Sequence, residues 1–194
     1  MQLGYHSWAR LFALALVVVS LAACAARRPQ PPPAAEAVAV PVAPPQPERW
    51  ILVQKTAYTL SLYEGAQLLK VYPIVLGKDP RWAKLYEGDH RTPEGEYHIV
   101  KKYFHPYWSR FMLLDYPTSA NEEIYAWSRT EGLLPERGSG VPGIGGAIGI
   151  HGAEDESLNE RGINWTEGCV SLFNRDVDEL YDLAPVGTRV VIER

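Results

Sequence analysis

Between Ala25 and Glu48 the chain runs through PPP at 31–33 and further prolines at 41, 44, 45 and 47, set among Ala, Val and Gln. Proline fixes φ and removes a backbone donor, so this run supports neither a helix nor a β-ladder and favours extended polyproline conformations. The chain is thereby divided. Residues 24–49 read as a linker, and whatever folds must fold from about Trp50 onward. At about 3.1 Å per residue, the ~24 residues of the linker reach roughly 75 Å when fully extended.

Ahead of the linker, Arg10 gives a short positive flank and Leu11 to Ala23 is continuously apolar or small. At about thirteen residues this run is too short to span a bilayer as a mature helix and has the form of an export signal over residues 1–23. Its end, Leu21-Ala22-Ala23-Cys24, resembles the lipobox of bacterial lipoproteins. That resemblance implies a lipidated Cys24, a membrane partner through the lipid anchor, and a place on the periplasmic face of the bacterial envelope. Each buried methylene of such an anchor contributes about 0.8 kcal/mol. Ala25 rather than Asp after the cysteine resembles the outer-membrane sorting case.

With 46% hydrophobic and 22% charged residues over 194 positions, the remainder has material for one domain with a core. A formal net charge of -4 and a pI of about 5.7 carry none of the basic footprint that nucleic-acid binding needs. From Trp50 to Gly77 three β-rich runs follow one another, with Tyr58, Leu60 and Leu62 alternating against Thr59, Ser61 and Tyr63, and Glu64-Gly65 as a turn. EYHIVKK after the turn-rich 87–97 segment, Arg110 to Asp115 and Thr188 to Glu193 are further strand candidates, so the fold class is mainly β. One clear helix is expected over Asn174 to Leu183, capped by Asn174, with Asp176, Asp178 and Glu179 near its N-terminus and Val177, Leu180 and Tyr181 on one face. Tyr116 to Gly146 reads as one long loop that carries Tyr125, Trp127, Arg129 and Arg137 and ends in the glycine-rich GSGVPGIGG.

The chemistry concentrates in Ile148 to Leu172, where His151-Gly152 and Gly168-Cys169 stand at the two ends of a short excursion. A thiol becomes a good nucleophile when a nearby imidazole takes its proton, and flanking glycines let backbone and substrate come close. With Cys24 assigned to lipid, Cys169 is the one thiol left, without an internal disulfide partner. His6 falls in the signal, His90 and His105 in polar or Pro-bearing loops, and His98 inside a strand, which leaves His151 as the base. A metal site built from His151 with Glu154 or Asp155 lacks a third spaced ligand, so no metal is expected. An imidazole-activated thiol should alkylate quickly at neutral pH.

The order His-Gly, then Thr166-Glu167-Gly168-Cys169-Val170-Ser171, resembles the signature of the L,D-transpeptidase catalytic domain family (YkuD-like). Thr92-Pro93-Glu94-Gly95-Glu96-Tyr97 is similar to a second motif of that family, and the likeness covers about residues 50–194. It implies a β-sandwich with a few peripheral helices and peptidoglycan stem peptides as substrate. His151 would deprotonate Cys169, N–H groups around Gly168 and Cys169 would hold the oxyanion, and no cofactor is implied. Thr166, Arg129 and Arg137 are the candidate substrate contacts, and an envelope protein is a further acceptor class. Two departures stand out: many family members carry His at the position of Glu167 and Arg at that of Ser171. Hydrolysis of diaminopimelate linkages stays open beside transpeptidation, as does, from another class, a wall-binding lipoprotein with a dead site. Papain-like peptidases place Cys before His, and sortases separate the two much further.

Overall fold

The computed structural model describes residues 48–138 and 140–194, so the expected signal, Cys24 and nearly all of the linker lie outside the described residues. Strands β1 (Arg49–Gln54), β2 (Thr59–Glu64) and β3 (Gln67–Pro73) form the expected antiparallel meander. They are followed by β4 (Gly95–His105), β5 (Ser109–Leu114), β6 (Gly149–His151), β7 (Val170–Ser171) and β8 (Arg189–Glu193). All eight belong to one sheet in the order β3-β2-β1-β8-β4-β5-β6-β7. Strand β4 makes the sheet curl. Its first half, Gly95–His98, pairs with β8, and its second half, from Ile99 to His105, pairs with β5 across a register shift. A bulge of this kind bends a strand and increases its twist.

Period-2 alternation sends Ile51, Val53, Leu60, Leu62, Val190 and Ile192 from one half, and Ile99, Met112, Leu114, Ile150 and Val170 from the other, into one buried cluster. Each such side chain contributes about 1.5–3 kcal/mol when removed from water. Helix α3 (Asn174–Leu183) lays Val177 and Leu180 on that cluster and packs on β5 and β6. Its N-terminus differs from expectation: Phe173 is the N-cap position, Asn174 is already helical, and Glu156 Oε1 accepts from the Asn174 N–H at 2.6 Å. The Asn174 amide is instead spent on the Ala153 N–H and C=O, both at 2.9 Å.

The stretch read as one long loop contains a helix, α1 (Ser119–Thr130). Asn121 Oδ1 accepts from the Thr118 N–H and hydroxyl at 3.0 and 2.9 Å, and Gly132 closes the helix with the paired bonds Gly132 N to Arg129 O and Leu133 N to Ser128 O. Only Ser128 of α1 is buried, so no apolar stripe announces it. Tyr125 on this helix donates to Pro142 O at 2.8 Å and ties the glycine-rich segment down. A short α2 (Glu156–Glu160) fills part of the excursion between β6 and β7.

Among the described residues no helix is long and apolar enough to cross a membrane.

Candidate active site

Strands β6 and β7 run parallel, with Ile150 opposite Val170 and His151 opposite Ser171. One residue back in the same register, Gly149 faces Cys169. Because successive side chains alternate, Ile150 and Val170 enter the core while Cys169 and His151 share the other face. A Cβ at Gly149 would stand 2.4 Å from the Phe111 ring and 2.7 Å from Met112 O, so only glycine fits there, and its N–H lies 3.4 Å from Cys169 Sγ, which in turn sits 3.6 Å from Ala147 O.

The turn before Cys169 is built by Thr166 and Gly168. Thr166 is buried, its hydroxyl donates to Cys169 O at 2.7 Å, and it accepts the Gly168 N–H at 3.1 Å. Gly168 has φ +138°, and a Cβ there would stand 2.6 Å from Arg91 O, so both conformation and space require glycine. Thr166 therefore shapes the turn before Cys169 as well as lining the groove, and the Gly168 N–H is engaged within that turn.

His151 is 1% exposed. Its ring stacks on Trp108 (centroids 4.4 Å apart) and Phe111 (5.6 Å), with Trp165 edge-on at 5.5 Å. These rings, with Tyr103, Gly146, Ala147, Thr166, Glu167 and Cys169, line a groove of about 520 Å³. His151 Nδ1 lies 2.6 Å from Gly152 O, and since a carbonyl only accepts, Nδ1 carries the proton and Nε2 keeps its lone pair.

Burial sets the charge state of the pair. It pushes the imidazole down to about 4, against the Gly152 bond, with nearby His105 adding to the drop. It pushes the Cys169 thiol up to about 11, against the Gly149 N–H and the charge of Lys84. Between those values the free site holds a neutral thiol and a neutral imidazole rather than an ion pair. Contrary to the fast neutral-pH alkylation expected from sequence, iodoacetamide labelling of Cys169 should therefore be slow near pH 7 and climb about tenfold per pH unit toward pH 11, because burial disfavours the thiolate. A rate already at its plateau from pH 5 to 8 would mean a thiolate–imidazolium pair and contradict this.

Glu167 projects into solvent and pairs with Lys78 and His90, the Lys78 bond chief among the contacts that hold its carboxyl below the usual range. Arg129 is exposed in the last turn of α1 and does not line the groove. Arg137 is exposed as well, with its guanidinium over the Tyr86 ring and 3.4 Å from Gly88 O. Gly88 borders a second concavity of about 260 Å³, lined also by Lys84 and Glu87, that shares Gly146 and Glu167 with the groove. Arg137 thus stands at the rim of the neighbouring hollow.

Sequence reasoning missed the aromatic wall, although the ring density of KKYFHPYWSRF over 101–111 was a signal for it. It also missed the buried pair Lys84–Asp89 (2.9 Å). Asp89 accepts the N–H groups of Leu85, Tyr86 and Arg91, and Lys84 donates to Tyr86 O. Desolvation alone would raise the Asp89 carboxyl, but these donors and the ammonium more than reverse it and hold it below the usual carboxylate range. Together they shape the 84–91 segment that brings Arg91 O under Gly168. Among the described residues no group of three or more His, Cys, Asp or Glu is placed to hold a metal ion.

The fold is thus a curled, mainly β sheet that sets a cysteine and a histidine on one face of adjacent strands. The chain matches the YkuD family, L,D-transpeptidase catalytic domain, over residues 48–192, and belongs to that family. It is 30% identical over 148 residues to the YkuD protein of Bacillus licheniformis, covering 73% of this chain and 64% of that protein, and 27% identical over 150 residues to YkuD of Bacillus subtilis (74% and 65%). Bd1075 of Bdellovibrio bacteriovorus and the helical cell shape determining protein Pgp2 of Campylobacter jejuni have the same fold. Each gives a TM-score of 0.54, at 21% and 22% identity, over 76% of this chain and 48% of theirs. The chain thus spans just under two thirds of these YkuD proteins and about half of the two solved structures.

Proposed function

We propose that this domain is a cysteine-dependent L,D-transpeptidase that acts on peptidoglycan stem peptides through a thioester acyl-enzyme. The observation that carries the reading is the shared face of β6 and β7, where His151, its Nε2 unprotonated, and Cys169 line one groove. As substrate enters, His151 takes the thiol proton, and sulfur attacks the carbonyl at the L-centre of diaminopimelate. The tetrahedral oxyanion lies against the Cys169 N–H, since the Gly168 N–H is engaged by Thr166. Collapse expels D-Ala, whose amine takes the proton from His151, and leaves the thioester. An acceptor amine then attacks, His151 removes its proton, and the thiol is restored as the new amide forms.

The aromatic walls favour transfer over hydrolysis: Trp108, Trp165, Phe111 and Tyr103 offer ring faces to a cationic amine and few partners to a water. An envelope protein presenting an amine is a further acceptor class. The LAAC sequence ending at Cys24 supports a lipid anchor on the periplasmic side of the outer membrane, with residues 24–49 as the tether. Incubation of the purified domain with disaccharide tetrapeptide, followed by mass spectrometry of the products, tests the reading. Crosslinked dimer with released D-Ala is expected. Cleavage of pre-formed crosslinks, with no dimer even at high acceptor concentration, would overturn it in favour of hydrolysis.

A further inference from the structure

Behind the groove, a directed chain of hydrogen bonds ends on the carbonyl that faces His151. Trp165 Nε1 donates to Asn159 Oδ1 at 2.9 Å, Asn159 Nδ2 donates to Ser171 Oγ at 3.2 Å, and Ser171 Oγ donates to Gly152 O at 3.2 Å. The chemistry of the groups fixes that direction. An indole nitrogen only donates, so Asn159 must turn its oxygen to Trp165 and its NH₂ to Ser171. The amide NH₂ also only donates, so the Ser171 oxygen accepts there and its proton is left for Gly152 O. That same carbonyl receives Nδ1–H of His151 at 2.6 Å.

The Gly152–Ala153 peptide is pinned from its other side too, since the Ala153 N–H reaches Asn174 Oδ1 at 2.9 Å. A Cβ at Gly152 would stand 2.1 Å from that oxygen and 2.6 Å from Trp108 O, so the carbonyl can be held this tightly only at a glycine. Ser171 is fully buried and Asn159 nearly so, and neither lines the groove. Their polar atoms have satisfied partners that all lead to one place.

We propose that Ser171, Asn159 and Trp165 are positioning residues that hold the Gly152 carbonyl in place and through it keep His151 in the Nδ1-protonated tautomer. A base whose lone pair must sit on Nε2 loses effectiveness whenever the carbonyl swings away and the other tautomer gains population. The catalytic meaning of this arrangement rests on the Cys169–His151 reading, whereas the tautomer itself does not.

Two measurements test it. Long-range ¹H–¹⁵N spectra at pH 7 report the His151 tautomer directly, and the burst of p-nitrophenol from p-nitrophenyl acetate reports acylation of Cys169 without reference to the natural substrate. Wild type should show Nδ1–H alone. Ser171→Ala should show both tautomers and an acylation rate about fivefold to tenfold lower, the worth of roughly one hydrogen bond. Asn159→Asp should do the same, because a carboxylate in that place accepts the Ser171 proton and draws it off Gly152 O. Ser171→Thr, which keeps the hydroxyl, should restore both readouts.

Wild-type tautomer and rate in both Ser171→Ala and Asn159→Asp, or a Thr variant as slow as the Ala variant, would overturn the proposal. Should Ser171→Ala fail to fold, Asn159→Asp and Trp165→Phe decide on the same readouts. Absence of turnover on stem peptides in a wild type that keeps Nδ1–H and the burst would count against the transpeptidase reading and not against this one.

Discussion

Cys169→Ala should lower turnover of a tetrapeptide donor by about 10³-fold or more, since in the proposed mechanism loss of this thiol removes the acyl-enzyme and leaves only binding and the oxyanion donor. His151→Ala should cost about 10²–10⁴-fold, the usual contribution of a positioned general base. The two losses should not add, because the proposed mechanism has sulfur and imidazole act in one step. With the imidazole titrating near 4, kcat/KM should fall on the acid side near pH 4 rather than near the ordinary histidine value. Above that limb His151 is already the free base, so raising the pH from 5 to 8 should change the acylation rate little. Parallel steady-state assays of wild type, both single variants and the double variant check all of this. A Cys169→Ala protein with a tenth of wild-type turnover would place the chemistry elsewhere.

Asp89→Ala should destabilise the domain by about 3–5 kcal/mol, because it leaves the Lys84 ammonium buried without its partner. It also leaves the Leu85, Tyr86 and Arg91 N–H groups without their acceptor. Lys84→Met should cost less, since Asp89 keeps all three backbone donors. Urea denaturation midpoints of the two variants measure the difference, and equal or reversed losses would contradict it. The depressed Asp89 carboxyl has a pH consequence with a definite sign. Its stabilisation is present above the unfolded carboxylate value and is lost as pH falls through the lower folded value. Because His90 and Arg91 sit on this segment, Asp89→Ala should also loosen the contacts under Gly168 and around Glu167.

The strands were legible because Leu60 and Leu62, or Ile51 and Val53, repeat every second position, and a half-buried sheet leaves that mark in any sequence. The close backbone packing around His151 and Cys169 was legible for another reason: glycines beside both are costly unless backbone must come close, as Gly168 does to Arg91 O. Helix α1 was not, because it buries only Ser128 and its face toward the protein is polar. Asn174 looked like a helix cap, and its amide was instead spent on Ala153, a contact across 21 positions that no local pattern encodes. The aromatic wall depends on β5–β6 register, which sets Phe111 opposite His151. The chain from Trp165 through Asn159 to Ser171 depends on how α2 folds back behind β7. What orients the imidazole, open from sequence, is the carbonyl of the neighbouring residue.

Intact-protein mass spectrometry during turnover tests the central claim most directly. With a disaccharide tetrapeptide donor and no acceptor, the domain should gain the mass of the donor less D-Ala, the tryptic peptide carrying Cys169 should bear it as a hydroxylamine-labile thioester, and an added amine should discharge it into crosslinked product. Product formed with no adduct on Cys169, or an equal adduct in Cys169→Ala, would contradict the account.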